Sequence, residues 1–223
     1  MQLKAAIFDM DGTLVNSLLL WDVFWAEFGR RFGRGSDFRP TREDDKAVRT
    51  MTVADALNMV HEKYALGDSG ETLLRIANAT MVDFYAHRVE LKPGVREFLD
   101  ALQAQGVKMC VASATAPDLI DLAMDHCGLR PYFSRVFSCT EVGKGKDAPD
   151  IFLLAQKWLG ESIQDTCVFE DSLLAIETAK KTGMQTVAIY DQYNFGQERM
   201  REIADHYIAK DETLMKLLEE SHD

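Results

Sequence analysis

The stretch Ala5-Ala6-Ile7-Phe8-Asp9-Met10-Asp11-Gly12-Thr13-Leu14 joins an apolar run to two acids that are one residue apart. Two carboxylates this close at the exit of a buried strand repel each other, so a bound cation, a shared proton or both must offset their charge. Gly12 permits a sharp turn and leaves space for a ligand to approach the backbone amides. An Asp-x-Asp pair alone is a weak signal, since paired acids beside a turn are more often a solvated loop. Placed between an apolar strand and Gly-Thr, the pair predicts a reactive centre.

Four segments of the chain match the motifs of one family in order. Residues 8–13 resemble the first motif of the haloacid dehalogenase-like hydrolase superfamily, whose members are mostly phosphatases. Residues 112–115 resemble the second motif, residues 144–152 the third and residues 168–172 the fourth. Each motif has a plain alternative when taken alone, such as helix capping by Ser113. Together and in this order, they identify the chain as a member of the superfamily.

The C-terminal part of the chain alternates helical stripes with short apolar runs. Four of these stripes end at a glycine ahead of an apolar run, at Gly106, Gly128, Gly160 and Gly183. The alternation predicts an α/β fold with an open, doubly wound and mostly parallel sheet, Rossmann-like, with a last edge strand near Tyr207. Ligands bind beyond the carboxyl ends of such strands, where the strand order reverses. We therefore expect the four motifs to converge at that edge.

An all-helical segment is predicted between the first motif and the remainder of the core. Apolar residues recur there at steps of three and four, for example at Leu18, Trp21, Trp25, Phe28 and Phe32. We interpret residues 16–90 as an inserted helical cap, with Asn16 or Ser17 capping its first helix, and residues 1–15 and 91–223 as the hydrolase core. The cap is expected to close over the site and set specificity. Candidates for contacting the leaving group are Trp21, Trp25, Arg49, Met51, His87 and Arg88, although the stripe spacing favours packing for both tryptophans.

Composition excludes several classes of function. The chain has 223 residues, 47% of them hydrophobic, and a formal net charge of -11, from 25 basic and 36 acidic residues. This acidity argues against nucleic-acid and anionic-membrane partners, so a few local cations or a metal must hold an anionic substrate. The four cysteines lack Cys-x-x-Cys spacing and are expected to be reduced and buried. The N-terminus lacks a signal-peptide pattern and no run approaches membrane-spanning length, which favours a cytoplasmic enzyme.

The resemblance implies a magnesium site built from the first and fourth motifs. By analogy with the family, Mg²⁺ binds a carboxylate oxygen of Asp9, the backbone carbonyl of Asp11 and the carboxylate of Asp171. Glu170 is expected to support this arrangement through a water molecule. All of these ligands are oxygen atoms, which suit a hard cation.

The resemblance also implies a route for phosphoryl transfer from a small phosphorylated substrate. Ser113 and the Ala114 amide are expected to hold the phosphoryl oxygens, and Lys146 to add positive charge. The register against the motif selects Lys146, whereas Lys144 is expected to be solvated. Asp9 attacks phosphorus to give an aspartyl-phosphate, and Asp11 acts as the general acid and base.

The resemblance leaves other activities of the same superfamily as alternatives to phosphomonoester hydrolysis. A phosphosugar mutase, the leading alternative, uses the same aspartyl-phosphate. The sugar mutases of the superfamily resemble one another in a histidine after the first motif and a Lys-Asn pair after the second-motif serine. Here these positions fall within residues 18–21 and at Ala116-Pro117, so both polar elements are missing. A dehalogenase would not need Asp11, and a receiver-like phosphorylation switch has no large helical insert after its first strand.

Overall fold

A parallel sheet of six strands lies at the centre of the larger part of the computed structural model, which describes residues 3–49 and 51–219. The strands are β1 Ala5–Phe8, β2 Lys108–Ser113, β3 Val136–Ser138, β4 Thr166–Glu170, β5 Gln185–Ile189 and β6 His206–Ile208. Their order is β3-β2-β1-β4-β5-β6, and every neighbouring pair is parallel. The order reverses at β1, which lies between β2 and β4. The predicted doubly wound α/β fold is therefore confirmed.

The chain divides into two compact units. One comprises Met1–Ser17 with Val89–Asp223, and the other comprises Leu18–Arg88. The helical unit thus begins two residues after the predicted insert and ends two residues before it.

The helical unit contains α1 Leu20–Arg31, α2 Arg42–Val48, α3 Val53–Tyr64 and α4 Gly70–His87. These helices bury a core of their own, which includes Phe24, Trp25, Phe28, Leu57 and Leu73. The apolar stripes of the sequence correspond to α1, α3 and α4, whereas the short α2 was not predicted. Helix α1 starts at Leu20 after Leu19, whose side chain makes no capping hydrogen bond, so the predicted caps Asn16 and Ser17 are wrong.

The helices that follow cover both faces of the sheet. They are α5 Val95–Ala104, α6 Pro117–His126, α7 Cys139–Val142, α8 Asp150–Leu159, α9 Leu173–Thr182, α10 Gln197–Ile203 and α11 Lys216–Glu219, with a 3₁₀ turn at Arg130–Tyr132. Ile7 on β1 belongs to the core cluster that contains Phe152 of α8. The next residue, Phe8, packs against Phe98 of α5 and stacks on Phe169 of β4. Adjacent strand residues point to opposite faces, so β1 is covered on both sides.

All four cysteines are free thiols, but the prediction that all are buried is wrong for Cys139, which is half-buried, whereas Cys110, Cys127 and Cys167 are buried. Cys110 on β2 is aligned with Ile7 of β1, and Cys167 on β4 is aligned with Ala6, so the two thiols lie on either side of the central strand. Both are fully buried.

Candidate active site

The central strands bring the motif residues to one edge of the sheet. Asp9 directly follows β1, Ser113 ends β2 and Glu170 ends β4, with Asp171 next in the chain. The backbone N–H of Asp9 donates to the carbonyl of Phe169 at 2.9 Å, which continues the pairing of β1 with β4 by one residue. The parallel register therefore sets Asp9 beside the acids of β4 at the point where strand order reverses.

Three buried carboxylates form a cluster at this edge. Asp9, Glu170 and Asp171 each offer an oxygen atom, and these atoms lie within 4.8 Å of one another. The residues are 6%, 1% and 3% exposed, respectively. Burying like charges this close is costly unless cations offset them. Hard oxygen donors with excess negative charge are the set that Mg²⁺ takes, so these residues fit the predicted metal.

Lys146 supplies a positive charge inside the cluster. Its ammonium group donates to Oδ1 of Asp9 and to Oε1 of Glu170, and its side chain is 10% exposed. Lys144, two residues earlier, instead forms a surface ion pair with Asp150 at 2.7 Å. The structure thus brings Lys146 to the carboxylates and leaves Lys144 in solvent. Three carboxylates and one ammonium still leave the cluster with a formal charge of about -2 when all are ionised.

The pKa values of the cluster reflect burial and this uneven charge balance. Burial raises the pKa of Asp9 to about 8, with repulsion from Glu170 and Asp11 adding to it and Lys146 opposing it. Burial, followed by repulsion from Glu170 and Asp9, raises the pKa of Asp171 well above its usual value. For Lys146, burial disfavours the ammonium, but its two carboxylate partners outweigh this effect and raise its pKa. A bound cation would offset the same repulsion.

Glu170 anchors the turn after β4 as well as the lysine. Its Oε2 accepts hydrogen bonds from the backbone N–H groups of Asp171 and Ser172, both at 3.0 Å. One carboxylate oxygen therefore holds the backbone and the other holds Lys146.

Asp11 lies outside the carboxylate cluster. Its side chain accepts hydrogen bonds from the hydroxyl of Ser17 at 2.6 Å and the hydroxyl of Thr115 at 2.7 Å. Two hydroxyl donors hold a carboxylate in a fixed orientation without neutralising it. The Asp11 carboxylate is thus held by hydroxyl groups, whereas the Asp9 carboxylate is held by the Lys146 ammonium.

The second motif forms a turn at the end of β2. The Ser113 hydroxyl accepts a hydrogen bond from the backbone N–H of Thr115 at 3.1 Å, and Ser138 of β3 donates to the carbonyl of Thr115 at 2.8 Å. Ser113 is buried, whereas Ala114 is exposed at the apex of the turn. The exposed apex is a place where backbone amides can meet an anion.

Several further residues at the site were given no role by the sequence. Ser17 and Thr115 hold Asp11, and Thr13 donates its hydroxyl to Asp171 at 3.5 Å. Asn194, in the loop after β5, donates to the Asp171 carboxylate at 2.5 Å. Thr13 and Thr115 lie within motifs and Ser17 follows the first motif, so their hydroxyls could have been suspected as donors, whereas nothing in the sequence marks Asn194.

Two leaving-group candidates in the helical unit are engaged within that unit. The Trp25 ring is fully buried, and its Nε1 donates to Asp45 at 2.7 Å. The Arg49 guanidinium is bound by Asp45 and by the carbonyl of Leu18. Trp25 is therefore a packing residue, as its stripe position favoured.

The family model for haloacid dehalogenase-like hydrolase matches residues 3–183, which contain all four motifs. The chain belongs to this family. The prediction of a hydrolase of this class is thereby confirmed. Among the described residues, 3–49 and 51–219, no helix combines the length and apolarity needed to cross a membrane.

Named relatives of this hydrolase include phosphatases. The phosphorylated carbohydrates phosphatase of Thermotoga maritima is 24% identical over 98% of this chain and 99% of its own length. A candidate pseudouridine-5′-phosphatase of Drosophila melanogaster is 31% identical over 83% of this chain and 80% of its own length. A similar solved structure is that of a candidate β-phosphoglucomutase from Thermotoga maritima. It has a TM-score of 0.83, is 24% identical, and the match covers 97% of this chain and 99% of that one, which supports the fold alone.

Proposed function

We propose that this hydrolase is a Mg²⁺-dependent phosphatase that cleaves the phosphomonoester of a small phosphorylated metabolite through an aspartyl-phosphate. The observation that carries the proposal is the buried group of Asp9, Glu170, Asp171 and Lys146 at the edge where the strand order reverses. It combines a potential nucleophile, a cation site and a fixed positive charge. The names of the two phosphatase relatives support a phosphorylated carbohydrate or nucleoside as the substrate class.

Neutralisation of the phosphoryl group must precede attack, because a carboxylate and a phosphate monoester are both anionic. Mg²⁺ bound by Asp9 and Asp171 would supply Lewis-acid charge at the transferring group. Lys146 adds charge from the protein. Ser113 and the backbone amide of Ala114, a residue exposed in the turn after β2, are the proposed contacts to the phosphoryl oxygens.

Asp9 and Asp11 divide the bond-making and proton-transfer steps. A carboxylate oxygen of Asp9 attacks phosphorus, the bond from phosphorus to the ester oxygen breaks, and protonated Asp11 gives its proton to the departing alcohol. Water then attacks the aspartyl-phosphate, Asp11 takes a proton from that water, and phosphate leaves as Asp9 is restored. Ser17 and Thr115 hold Asp11 by its carboxylate oxygens during both transfers.

The test is a comparison of phosphate release by wild-type protein, Asp9→Asn and the exposed-acid control Asp118→Asn. Sugar phosphates, nucleotides and short phosphorylated acids are supplied with Mg²⁺ or with EDTA. We expect wild type and the control to release phosphate with Mg²⁺ but not with EDTA. In Asp9→Asn, the rate of release with Mg²⁺ should fall at least ~100-fold, which corresponds to about 2.7 kcal/mol of barrier lowering. A fully active Asp9→Asn would refute the nucleophile.

A second arm of the test separates hydrolysis from phosphosugar mutation. β-Glucose 1-phosphate is supplied with catalytic bisphosphate, and glucose 6-phosphate and free phosphate are followed together. Isomerised sugar forming much faster than phosphate would overturn hydrolysis as the main activity. Both the cytoplasmic location and the role of the helical segment as a specificity cap stay predictions.

A further inference from the structure

The loop that follows β5 contacts the carboxylate of Asp171. Asn194 donates through Nδ2 to Oδ2 of Asp171 at 2.5 Å and to the backbone carbonyl of the same residue at 3.0 Å. The two residues are 23 positions apart in the sequence. A side-chain amide that contacts both the main chain and the carboxylate of one residue restricts that carboxylate to a narrow range of orientations.

An ion pair between the partly buried Lys92 and the buried Asp191 holds this loop in place. The Lys92 ammonium donates to Oδ2 of Asp191 at 2.9 Å, to the carbonyl of Tyr190 at 3.1 Å and to the carbonyl of Gly12. Asp191 is 4% exposed, and its Oδ1 accepts the backbone N–H of Tyr193 at 2.9 Å. Lys92 thus ties the loop to the turn of the first motif. The position of Asn194 follows from a network of part-buried hydrogen bonds centred on the buried Asp191 carboxylate.

The far side of the loop is also fixed. Gln197 donates through Nε2 to the carbonyls of Asp191 at 3.0 Å and Asn194 at 3.3 Å. The hydroxyl of Tyr207 on β6 donates to Oε1 of Gln197 at 2.9 Å. The loop is therefore attached to the sheet edge on one side and to the first motif on the other.

We propose that Asn194 is a positioning residue that orients the Asp171 carboxylate for a divalent cation, with the Lys92–Asp191 pair holding Asn194 in place. The inference rests on the proposed function, since it concerns the same cation. Partners of this kind, which bind a metal-ligating carboxylate rather than the metal, typically change metal affinity by 10–100-fold when removed.

The amide group of Asn194 is suited to this task because it is neutral. It orients Asp171 by donating to Oδ2 and leaves the negative charge of the carboxylate for the cation. An ammonium or guanidinium at the same place would compete with the cation for that charge. The other oxygen, Oδ1, accepts a long hydrogen bond of 3.5 Å from Thr13. We assign Oδ1 as the oxygen that is available to the metal.

Calorimetric titration of MgCl₂ into metal-free protein tests the proposal without relying on turnover. The variants are Asn194→Ala, Asn194→Leu, which retains side-chain volume, and the control Gln192→Ala, an exposed residue of the same loop. We expect both Asn194 variants to bind Mg²⁺ at least ~10-fold more weakly than wild type and the control to stay within ~2-fold. Thermal unfolding in EDTA is measured in parallel.

Steady-state phosphate release supplies a second readout. In the Asn194 variants, the Mg²⁺ concentration for half-maximal activity should rise by the same factor as the dissociation constant, while kcat at saturating Mg²⁺ recovers to within ~3-fold of wild type. A purely structural role would lower the unfolding temperature and leave Mg²⁺ affinity unchanged. That result would overturn the inference about Asn194 but not the proposed function. Wild-type protein that binds no Mg²⁺ would overturn the inference together with the proposed metal dependence.

Discussion

Removing the charge of Lys146 should destabilise the fold far more than removing the charge of Lys144. In Lys146→Met, the aliphatic stem is retained while Asp9 and Glu170 lose their shared ammonium partner. Breaking a buried ion pair by removing one partner typically costs ~3–5 kcal/mol, because a buried charge is left uncompensated. In a domain of 150–250 residues, each kcal/mol shifts the unfolding temperature by roughly 2–4 °C. The expected fall is about 6–20 °C.

Lys144→Met is a matched control because it removes the same group from the same segment. Lys144 is 58% exposed and its partner Asp150 is 38% exposed, so the pair is screened by solvent. Exposed pairs contribute at most ~1 kcal/mol, which corresponds to a fall below ~4 °C. The assay is thermal unfolding followed by far-UV circular dichroism at pH 8 in EDTA. It is repeated with Mg²⁺, which should stabilise Lys146→Met more than wild type because the cation meets a more anionic cluster.

The difference in stability between wild type and Lys146→Met should depend on pH. Burial already raises the pKa of Asp9 to about 8, and Lys146 opposes that rise, so its removal raises the pKa further. The folded variant then binds more protons than the unfolded chain at neutral pH, and its stability falls as pH rises. The difference in unfolding temperature between Lys146→Met and wild type should therefore become smaller from pH 8 to pH 5. Equal shifts for the two lysine variants in EDTA, or a gap that widens on acidification, would refute the reasoning.

Three further predictions concern other parts of the chain. Ser17→Ala removes a hydrogen bond of 2.6 Å to Asp11, a charged acceptor, so kcat for phosphate release should fall about 10-fold with KM within ~3-fold, and an unchanged kcat would contradict this role. Hydrogen bonds from neighbouring side chains lower the pKa of Asp44 to about 2. The ionised carboxylate therefore stabilises the fold above pH ~4, and this contribution is lost as the pH falls towards 2. The difference in urea midpoint between wild type and Asp44→Asn should narrow over that pH interval. Gly94→Ala should lower the unfolding temperature more than Gly106→Ala. Both glycines have φ near +75°, but a Cβ at position 94 would lie 2.9 Å from a neighbouring side chain, whereas position 106 faces open space. Equal falls in unfolding temperature would show that this steric contact does not contribute.

Local sequence patterns within strands and at helix ends made much of the fold predictable. The run from Ala5 to Phe8 is apolar at every position because β1 is covered on both faces, and a continuous apolar run is the pattern of such a strand. Glycines after α8 and α9 marked the helix ends because Gly160 and Gly183 adopt φ of +72° and +87°, which other residues rarely take. These signals lie within a few residues of the feature that they predict.

The missed features depend on contacts between distant positions. The sequence predicts Ser17 as a helix cap, because serine beside a helical stripe usually has that role, yet its hydroxyl donates to Asp11 instead. Asn194 and Lys92 belong to no repeating pattern, since their partners are fixed by strand order and loop path. Residue type shows that such side chains can donate hydrogen bonds, but only the fold determines to which atoms.

The thiols on either side of β1 give the protein a means of reporting its own opening. Burial raises the pKa of Cys110 and of Cys167 and keeps reagents away from them, and the thiolate is the form that attacks an alkylating reagent, so neither thiol reacts while the sheet is closed. Alkylation at Cys110 therefore measures how often the β1–β2 pair opens, and alkylation at Cys167 does the same for β1–β4. Equal rates indicate that the sheet opens in one cooperative event, whereas unequal rates indicate that one side opens first. Mass spectrometry of the wild-type protein measures both alkylation rates, so it follows opening on each side of the strand that leads to Asp9.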